Sequence, residues 1–273
     1  MDGLDLAGRI GLVGAGAMAE ALLSGWVAKG LDPALVKLTN RSNRQRLAYL
    51  EKSFGAGSTG DKAELASWAD TLVLATKPQD AALAAIQFRG LTRPGQLLVS
   101  VVAGLKLRWL EHAFPGVAVI RAMPNTSCRV SESATALAAA HGCSPRQLRA
   151  AGAIFAAVGE VTWVDEEMLD AVTGLSGSGP AYVYYLVEAM EEAGARVGLP
   201  PEITRRLAVR TVLGAARMLL ESGEEPARLR AMVSSPDGTT VAGIKQLEDA
   251  GFKEAVIKAV AKATVRATEL ARE

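Results

Sequence analysis

Ile10-Gly11-Leu12-Val13-Gly14-Ala15-Gly16-Ala17-Met18-Ala19 decides how the rest of the chain is read. A short apolar strand runs into a Gly-x-Gly-x-x-Ala turn, and an apolar helical pattern follows as far as Lys29. In that context each small residue has a task. Gly14 permits the tight turn, Gly16 lets the backbone approach a pyrophosphate, and Ala19 allows close helix packing. The first turn of the helix then offers free amides and a favourable dipole to phosphate. The expectation is a dinucleotide site built from Val13, Gly14, Ala15, Gly16, Ala17 and Met18.

Outward from this turn, β-rich runs alternate with helical ones. Val36 to Thr39 precedes a helix from Asn43 to Ser53, and Thr71 to Ala75 precedes one from Asp80 to Phe88. Runs at Leu97 to Val102, Val117 to Met123, Ala134 to Ala138 and Val161 to Val164 continue the series, giving about eight strands in a parallel sheet with crossover helices. After Val164 only helices are expected: Asp165 to Val172, Ala181 to Val197, Glu202 to Ser222, Pro226 to Val233, Thr240 to Asp249 and Lys253 to Arg272. Pro200-Pro201 opens one of these and Gly223 closes it, as helix-end preferences require. The fold class is α/β, a Rossmann-type dinucleotide-binding domain over residues 1–164 followed by an all-helical domain over 165–273. Apolar faces such as Val209, Val212, Leu213, Ala216 and Leu220 are broad for an isolated bundle and suit burial against a second copy, a homodimer. A compact monomeric bundle is the alternative.

The second strand indicates which dinucleotide. An NAD site would carry Asp or Glu at the end of that strand, about 20 residues past the glycine turn, to bind the ribose hydroxyls. Here the strand ends Thr39-Asn40-Arg41-Ser42, with Arg44 and Arg46 following. Arg41, with Asn40 and Ser42, can bond a 2′-phosphate, so NADPH is expected over NADH; a solvated basic helix start is the alternative, mainly for Arg44 and Arg46. Ala75-Thr76-Lys77-Pro78 follows the next strand at the carboxyl edge of the sheet, where ligands of open α/β folds sit. Lys77 is placed near the cofactor, with an ordinary surface lysine as the alternative.

The chain has 30 basic and 29 acidic residues, a formal charge of +1. No field of one sign points to nucleic acid or a membrane surface, so the partner is expected to be a small molecule. Two cysteines, Cys128 and Cys143, are too few for a disulfide scaffold and fit a reducing compartment. His112 and His141, placed in loop-like surroundings, share no metal-ligand spacing, and no metal is assigned. The acidic start, Met1 to Arg9, does not resemble a secretion signal. The longest apolar run, Leu97 to Leu105, is far short of the ~20 residues that span a bilayer. A cytoplasmic protein is expected.

Two polar stretches carry the chemistry. Val172-Thr173-Gly174-Leu175-Ser176-Gly177-Ser178-Gly179-Pro180-Ala181-Tyr182 reads as a hydroxyl- and amide-rich loop closed by Pro180 at the start of an apolar helix. It contains no strong acid or base, which suits a substrate needing little proton chemistry. Val233-Ser234-Ser235-Pro236-Asp237-Gly238-Thr239-Thr240 feeds a helix whose first amides suit a small carboxylate, though a plain turn with an N-cap is an equal reading.

With these pieces together, the whole chain resembles the pyrroline-5-carboxylate reductase family. The resemblance rests on the turn at Gly14, Ala75-Thr76-Lys77-Pro78, Val102-Ala103-Gly104, Arg121-Ala122-Met123-Pro124-Asn125-Thr126, the Thr173 to Tyr182 run and Ser235 to Thr240. It implies an interlocked homodimer, often assembled into larger rings of dimers, with NAD(P)H giving hydride to the C=N carbon of 1-pyrroline-5-carboxylate to form L-proline. It also implies that Thr240 hydrogen-bonds the ring nitrogen. Ser235 and the amides near Gly238 and Thr239 would hold the carboxylate, Ser176, Gly177, Ser178 and Gly179 would line the pocket, and Ala103 and Gly104 would join the cofactor site. The residues agree, because a cyclic imine is basic enough to be reduced beside a hydroxyl donor without a strong acid.

Two positions depart from the family pattern. Asp237 stands where Ser-Pro-Gly-Gly is usual, and is expected to face solvent; Asp61 stands where asparagine often precedes the lysine, here Lys62, near the adenosine. The nearest alternative, a β-hydroxyacid dehydrogenase, would need a lysine base on the helix after the glycine run. Ala181-Tyr182-Val183-Tyr184-Tyr185-Leu186 has none. A noncatalytic NADP-binding protein is the other alternative.

Overall fold

β1 (Ile10–Val13), β4 (Thr71–Leu74) and β5 (Leu97–Ser100) are buried at every residue, as strands covered on both faces must be. They lie inside an eight-stranded sheet completed by β2 (Val36–Thr39), β3 (Gly57–Ser58), β6 (Ala118–Met123), β7 (Ser133–Ala139) and β8 (Gly159–Trp163). The order is β3-β2-β1-β4-β5-β6-β7-β8, so the direction of strand addition reverses beside β1. The computed structural model describes residues 8–270. The acidic segment 1–7 and the residues expected at the tip of the last helix, Ala271 and Arg272, lie outside these.

Two strands, β7 and β8, run against the other six and so depart from the expected parallel arrangement. β7 pairs antiparallel with β6, through Ile120 with Ala139 and Met123 with Ala136, while β8 returns parallel to β7. The chain between β6 and β7 holds only a 3-10 turn, Thr126–Val130, which is too short for a crossover helix, so the strand must double back.

Helices α1 (Ala17–Ala28), α2 (Arg44–Phe54), α3 (Lys62–Trp68), α4 (Pro78–Phe88), α5 (Leu107–Ala113) and α6 (Pro145–Ala156) cover the sheet. Strand alternation divides the core. Ile10 and Leu12 join Leu22, Trp26, Leu38, Leu50 and Phe155 on one face; Val13, Leu72 and Leu74 join Leu65, Phe88, Leu110 and Phe114 on the other. The Trp26 indole N–H donates to the Ile154 carbonyl at 2.8 Å, so the bulkiest core side chain carries no unmet polar atom. α3, α5, α6 and the two-residue β3 were not expected from the sequence, and His112 lies in α5 rather than a loop. α3 and α6 both start on side-chain caps: Asp61 accepts from Ala63 N and Glu64 N, and Ser144 forms a capping box with Gln147.

The chain divides into two compact units: residues to Ser178 together with those from Ala261 onward, and Gly179–Val260. The expected boundary near Val164 falls inside the first. There, Arg121, 1% exposed, is paired with Glu166 at 2.8 Å, and the same carboxylate accepts from Leu107 N at 2.6 Å. α7 (Leu169–Val172) follows, and its Asp170 accepts from Lys106 Nζ and Thr268 Oγ1, each at 3.2 Å.

The second unit contains α8 (Gly179–Arg196), α9 (Pro201–Ser222), α10 (Pro226–Met232) and α11 (Thr239–Asp249), with the first part of α12 (Phe252–Leu270). Gly194 of α8 lies against Thr204 of α9, where a Cβ would meet Cγ2 at 2.2 Å. Arg205 donates to Glu191 at 2.8 Å across the same pair of helices. Large apolar side chains are nonetheless exposed here, Tyr184, Tyr185, Leu207, Leu213, Met218 and Leu220 among them. That pattern signals an interaction surface. Among the described residues no helix is long and apolar enough to cross a membrane.

Candidate functional site

Gly14 sits where the sheet order reverses, with φ +118°, its N–H donating to the Thr39 carbonyl at 2.9 Å. A Cβ there would lie 2.4 Å from the Ala75 carbonyl oxygen, so only glycine lets β1 turn this close to β4. Gly16 is the N-cap of α1, and nothing lies within 4 Å of where its Cβ would be. The first amides of a twelve-residue helix therefore open onto clear space, suited to a phosphate.

That space belongs to a cleft of about 480 Å³ lined by Val13, Gly14, Ala15, Gly16, Ala17, Met18, Asn40, Arg41, Ala75, Thr76 and Lys77. These expected cofactor residues thus converge. Pro78 instead opens α4, and Ala103 and Gly104 lie in the turn after β5, apart from this lining. The sequence reading missed the face of α4 made by Asp80, Leu83, Ala84 and Gln87, whose i, i+3, i+4, i+7 spacing was the available signal.

The polar groups of the cleft fit a dinucleotide. Thr76 Oγ1 is buried and has no hydrogen-bond partner, a hydroxyl left for a ligand. Arg46 is committed elsewhere: it pairs with Glu20, donates to the Ala15 carbonyl at 2.9 Å and lies over the Tyr49 ring. The Arg46 hydrogen bond holds the Glu20 carboxyl below its usual range, outweighing burial, which acts the other way. Lys62 lines the cleft with its Nζ on Thr39 Oγ1 at 2.8 Å and the Asn40 carbonyl at 2.9 Å. Burial pushes its ammonium below the usual value, with Asp61 opposing. Asp61 itself caps α3, accepting from Ala63 N at 2.8 Å, and is not in the cleft lining.

The Thr173 to Tyr182 run is not a loop. Thr173–Gly177 forms a π-helical turn, Ser178 follows, and α8 starts at Gly179. Four small or hydroxyl residues in five make the wider turn accessible, and such turns gather at functional sites. The expected free amides are therefore partly used, since Ser178 N donates to the Thr173 carbonyl at 2.9 Å. The hydroxyls of Thr173 and Ser176 donate back to Leu169 O and Val172 O, leaving their lone pairs as acceptors. The Asn125 amide donates to the Ser176 carbonyl at 3.0 Å, and Gly177 lies near Met123.

In the second unit, Gly238 N donates to the Ser235 carbonyl at 3.0 Å, closing a turn. Gly238 is the N-cap of α11 with no side-chain capping bond, so the amides around Thr239 and Thr240 lack an internal acceptor. Thr240 is half-buried and Asp237 exposed. Asp237 has φ +57°, the left-handed conformation for which glycine is suited and aspartate tolerated, which accounts for glycine in the usual motif. Cys128 is buried and Cys143 half-buried, both free thiols that burial pushes up in pKa.

Comparison with known proteins fits this geometry. Residues 166–270 match the family model described as pyrroline-5-carboxylate reductase dimerisation, and residues 9–104 match NADP oxidoreductase, coenzyme F420-dependent. The chain is 42% identical to pyrroline-5-carboxylate reductase 2 of Bacillus subtilis, over 96% of this chain and 95% of that one. It is 38% identical to the Arabidopsis thaliana pyrroline-5-carboxylate reductase over 97% and 96%. The solved pyrroline-5-carboxylate reductase of Coxiella burnetii superposes with a TM-score of 0.88 at 37% identity, over 97% of this chain and 98% of that one. The Plasmodium falciparum pyrroline carboxylate reductase, solved with NADP bound, gives 0.87 at 26% identity over 97% and 98%.

Proposed function

Since this chain belongs to the pyrroline-5-carboxylate reductase family and reduces 1-pyrroline-5-carboxylate to L-proline with NAD(P)H, we propose how its residues divide the work. The cleft beside Gly14 holds the dinucleotide, pyrophosphate against the amides of α1, with Thr76 and Lys77 beside it. Arg41 receives the 2′-phosphate, so NADPH is preferred to NADH. Support comes from the lack of any carboxylate at the end of β2 and from the commitment of Arg46 to Glu20.

The cofactor, when bound, supplies hydride to the C=N carbon. The protein's own part is to hold the imine. The Thr240 hydroxyl hydrogen-bonds the ring nitrogen, while Ser235 and the uncapped amides near Gly238 and Thr239 hold the carboxylate. Ser176, Gly177, Ser178 and Gly179 are assigned to the substrate as well. Among these groups none is a strong acid or base, which agrees with the ease of reducing a basic imine, and the rate arises from placement.

By function the chain divides near Val164, where the match to the dimerisation family begins at residue 166, ahead of the break between compact units at Ser178–Gly179. The exposed apolar side chains of α8 and α9 support a homodimer that assembles further into rings. The two free thiols support residence in the cytoplasm. The experiment is loss of reduced-nicotinamide absorbance with 1-pyrroline-5-carboxylate, run with NADPH and with NADH. Faster turnover with NADPH supports the reading of Arg41, and equal rates overturn it.

A further inference from the structure

Four cations line the cofactor cleft: Arg41, Arg46, Lys62 and Lys77. Arg46 and Lys62 are held by partners at hydrogen-bond distance, and Lys77 lies beyond the end of β4. Arg41 differs. Its side chain is 70% exposed, and among the described residues its ionic partner is Asp80, at 3.7 Å, in the first turn of α4. The two side chains come from different elements, the end of β2 and the start of α4, and both line the cleft.

At 3.7 Å, with Asp80 42% exposed, this is an ion pair without a hydrogen bond. Such pairs are weak in water. A guanidinium on a phosphate, by contrast, forms short, charge-assisted and commonly bidentate bonds. A 2′-phosphate reaching Arg41 therefore weakens an ion pair already there, and it meets the negative charge of Asp80 at the site. A ribose hydroxyl meets neither cost.

We propose that Asp80 is a specificity-determining residue, a carboxylate that occupies Arg41 in the empty cleft and thereby limits the margin by which NADPH is favoured over NADH. The inference rests on the reading of Arg41 as the 2′-phosphate ligand. Asp80 acts on that contact and leaves the pyrophosphate and nicotinamide contacts unchanged.

The test is calorimetric binding of NADPH and of NADH to the full-length wild type, Asp80→Asn, Arg41→Ala and the double variant. Asp80→Asn is expected to tighten NADPH about two- to fivefold, the range of an exposed ion pair, and to leave NADH unchanged. The gain should vanish when Arg41 is alanine. NADPH affinity unchanged or weakened by Asp80→Asn overturns the proposal, as does an equal gain for both cofactors or a gain that persists without Arg41. Arg41→Ala alone checks the underlying reading: a loss confined to NADPH upholds it whatever Asp80 does. Equal losses for both cofactors refute that reading and this inference with it.

Discussion

Asn125 ties the turn after β6 to the π-helical turn, its side-chain amide donating to the Ser176 carbonyl at 3.0 Å while its Oδ1 accepts from Ser127 N, also at 3.0 Å. Only an amide can do both at once. Asn125→Ala should cost about 1–3 kcal/mol through the groups it leaves unpaired, read as a lower unfolding midpoint. Because Ser176 borders the proposed substrate site, KM for the imine should rise while the NADPH Kd stays fixed. Asn125→Asp keeps the Ser127 bond but sets a carboxylate against a carbonyl, and should raise KM as well. Wild-type KM in both variants would limit Asn125 to a role in stability.

Thr240→Ala should lower kcat by about tenfold to a hundredfold, the range of one well-placed hydrogen bond to a charged group, with NADPH affinity unchanged. Thr240→Ser should restore most of the activity. Parallel loss of cofactor binding and turnover would mark the residue as part of the helix start and nothing more.

The two glycines of the turn should fail in different ways. Gly14→Ala forces a Cβ to within 2.4 Å of the Ala75 carbonyl oxygen at φ +118°, so the protein should unfold at lower temperature or fail to accumulate. Gly16→Val adds a side chain where nothing lies within 4 Å, so the fold should hold while dinucleotide binding is lost. Thermal melts alongside binding titrations separate the two; identical behaviour would contradict the geometry.

Acid should destabilise the protein through Glu20. Its carboxyl pKa is lowered from 4.5 in the folded state by the Arg46 hydrogen bond, against burial. A depressed folded-state pKa means that the stabilisation is present above about 4.5 and is lost as pH falls through the lower folded value. Asp70 adds to the same limb, since hydrogen bonds from Arg9 outweigh the opposing effect of burial. Arg46→Met should flatten the acid side of a stability–pH curve measured by denaturant unfolding. An unchanged slope would show that the Arg46 bond adds nothing to the acid limb, leaving Arg129, paired with Glu20 at 2.8 Å, to hold the carboxylate.

Much of the first unit was legible because its signals are local. An apolar strand, Gly14, Gly16 and a helix follow one another within a few turns, and the basic end of β2 lies a fixed distance on. What escaped depends on distant partners. Lys62, read only through the family pattern, reaches Thr39 and Asn40 because α3 packs beside β2, and the reversal of β7 and β8 follows from a connection too short for a crossover helix. The run from Thr173 misled for a different reason: glycine and serine suit a loop equally well, and only the surrounding helices make it a π turn. Residues 235–240 were equally open to a turn or a cradle; Gly238 N closes the turn on the Ser235 carbonyl, and α11 starts with no side-chain cap.

Thr76 carries a cost in every molecule that has not yet met its ligand. A hydroxyl stripped of water and given no partner weakens the folded state, by about 1–3 kcal/mol on the usual scale for such groups. Folding thus holds in reserve part of the affinity later released when a ligand arrives. Thr76→Val should therefore raise the unfolding midpoint of the ligand-free protein while weakening dinucleotide binding, and measuring both checks the assignment.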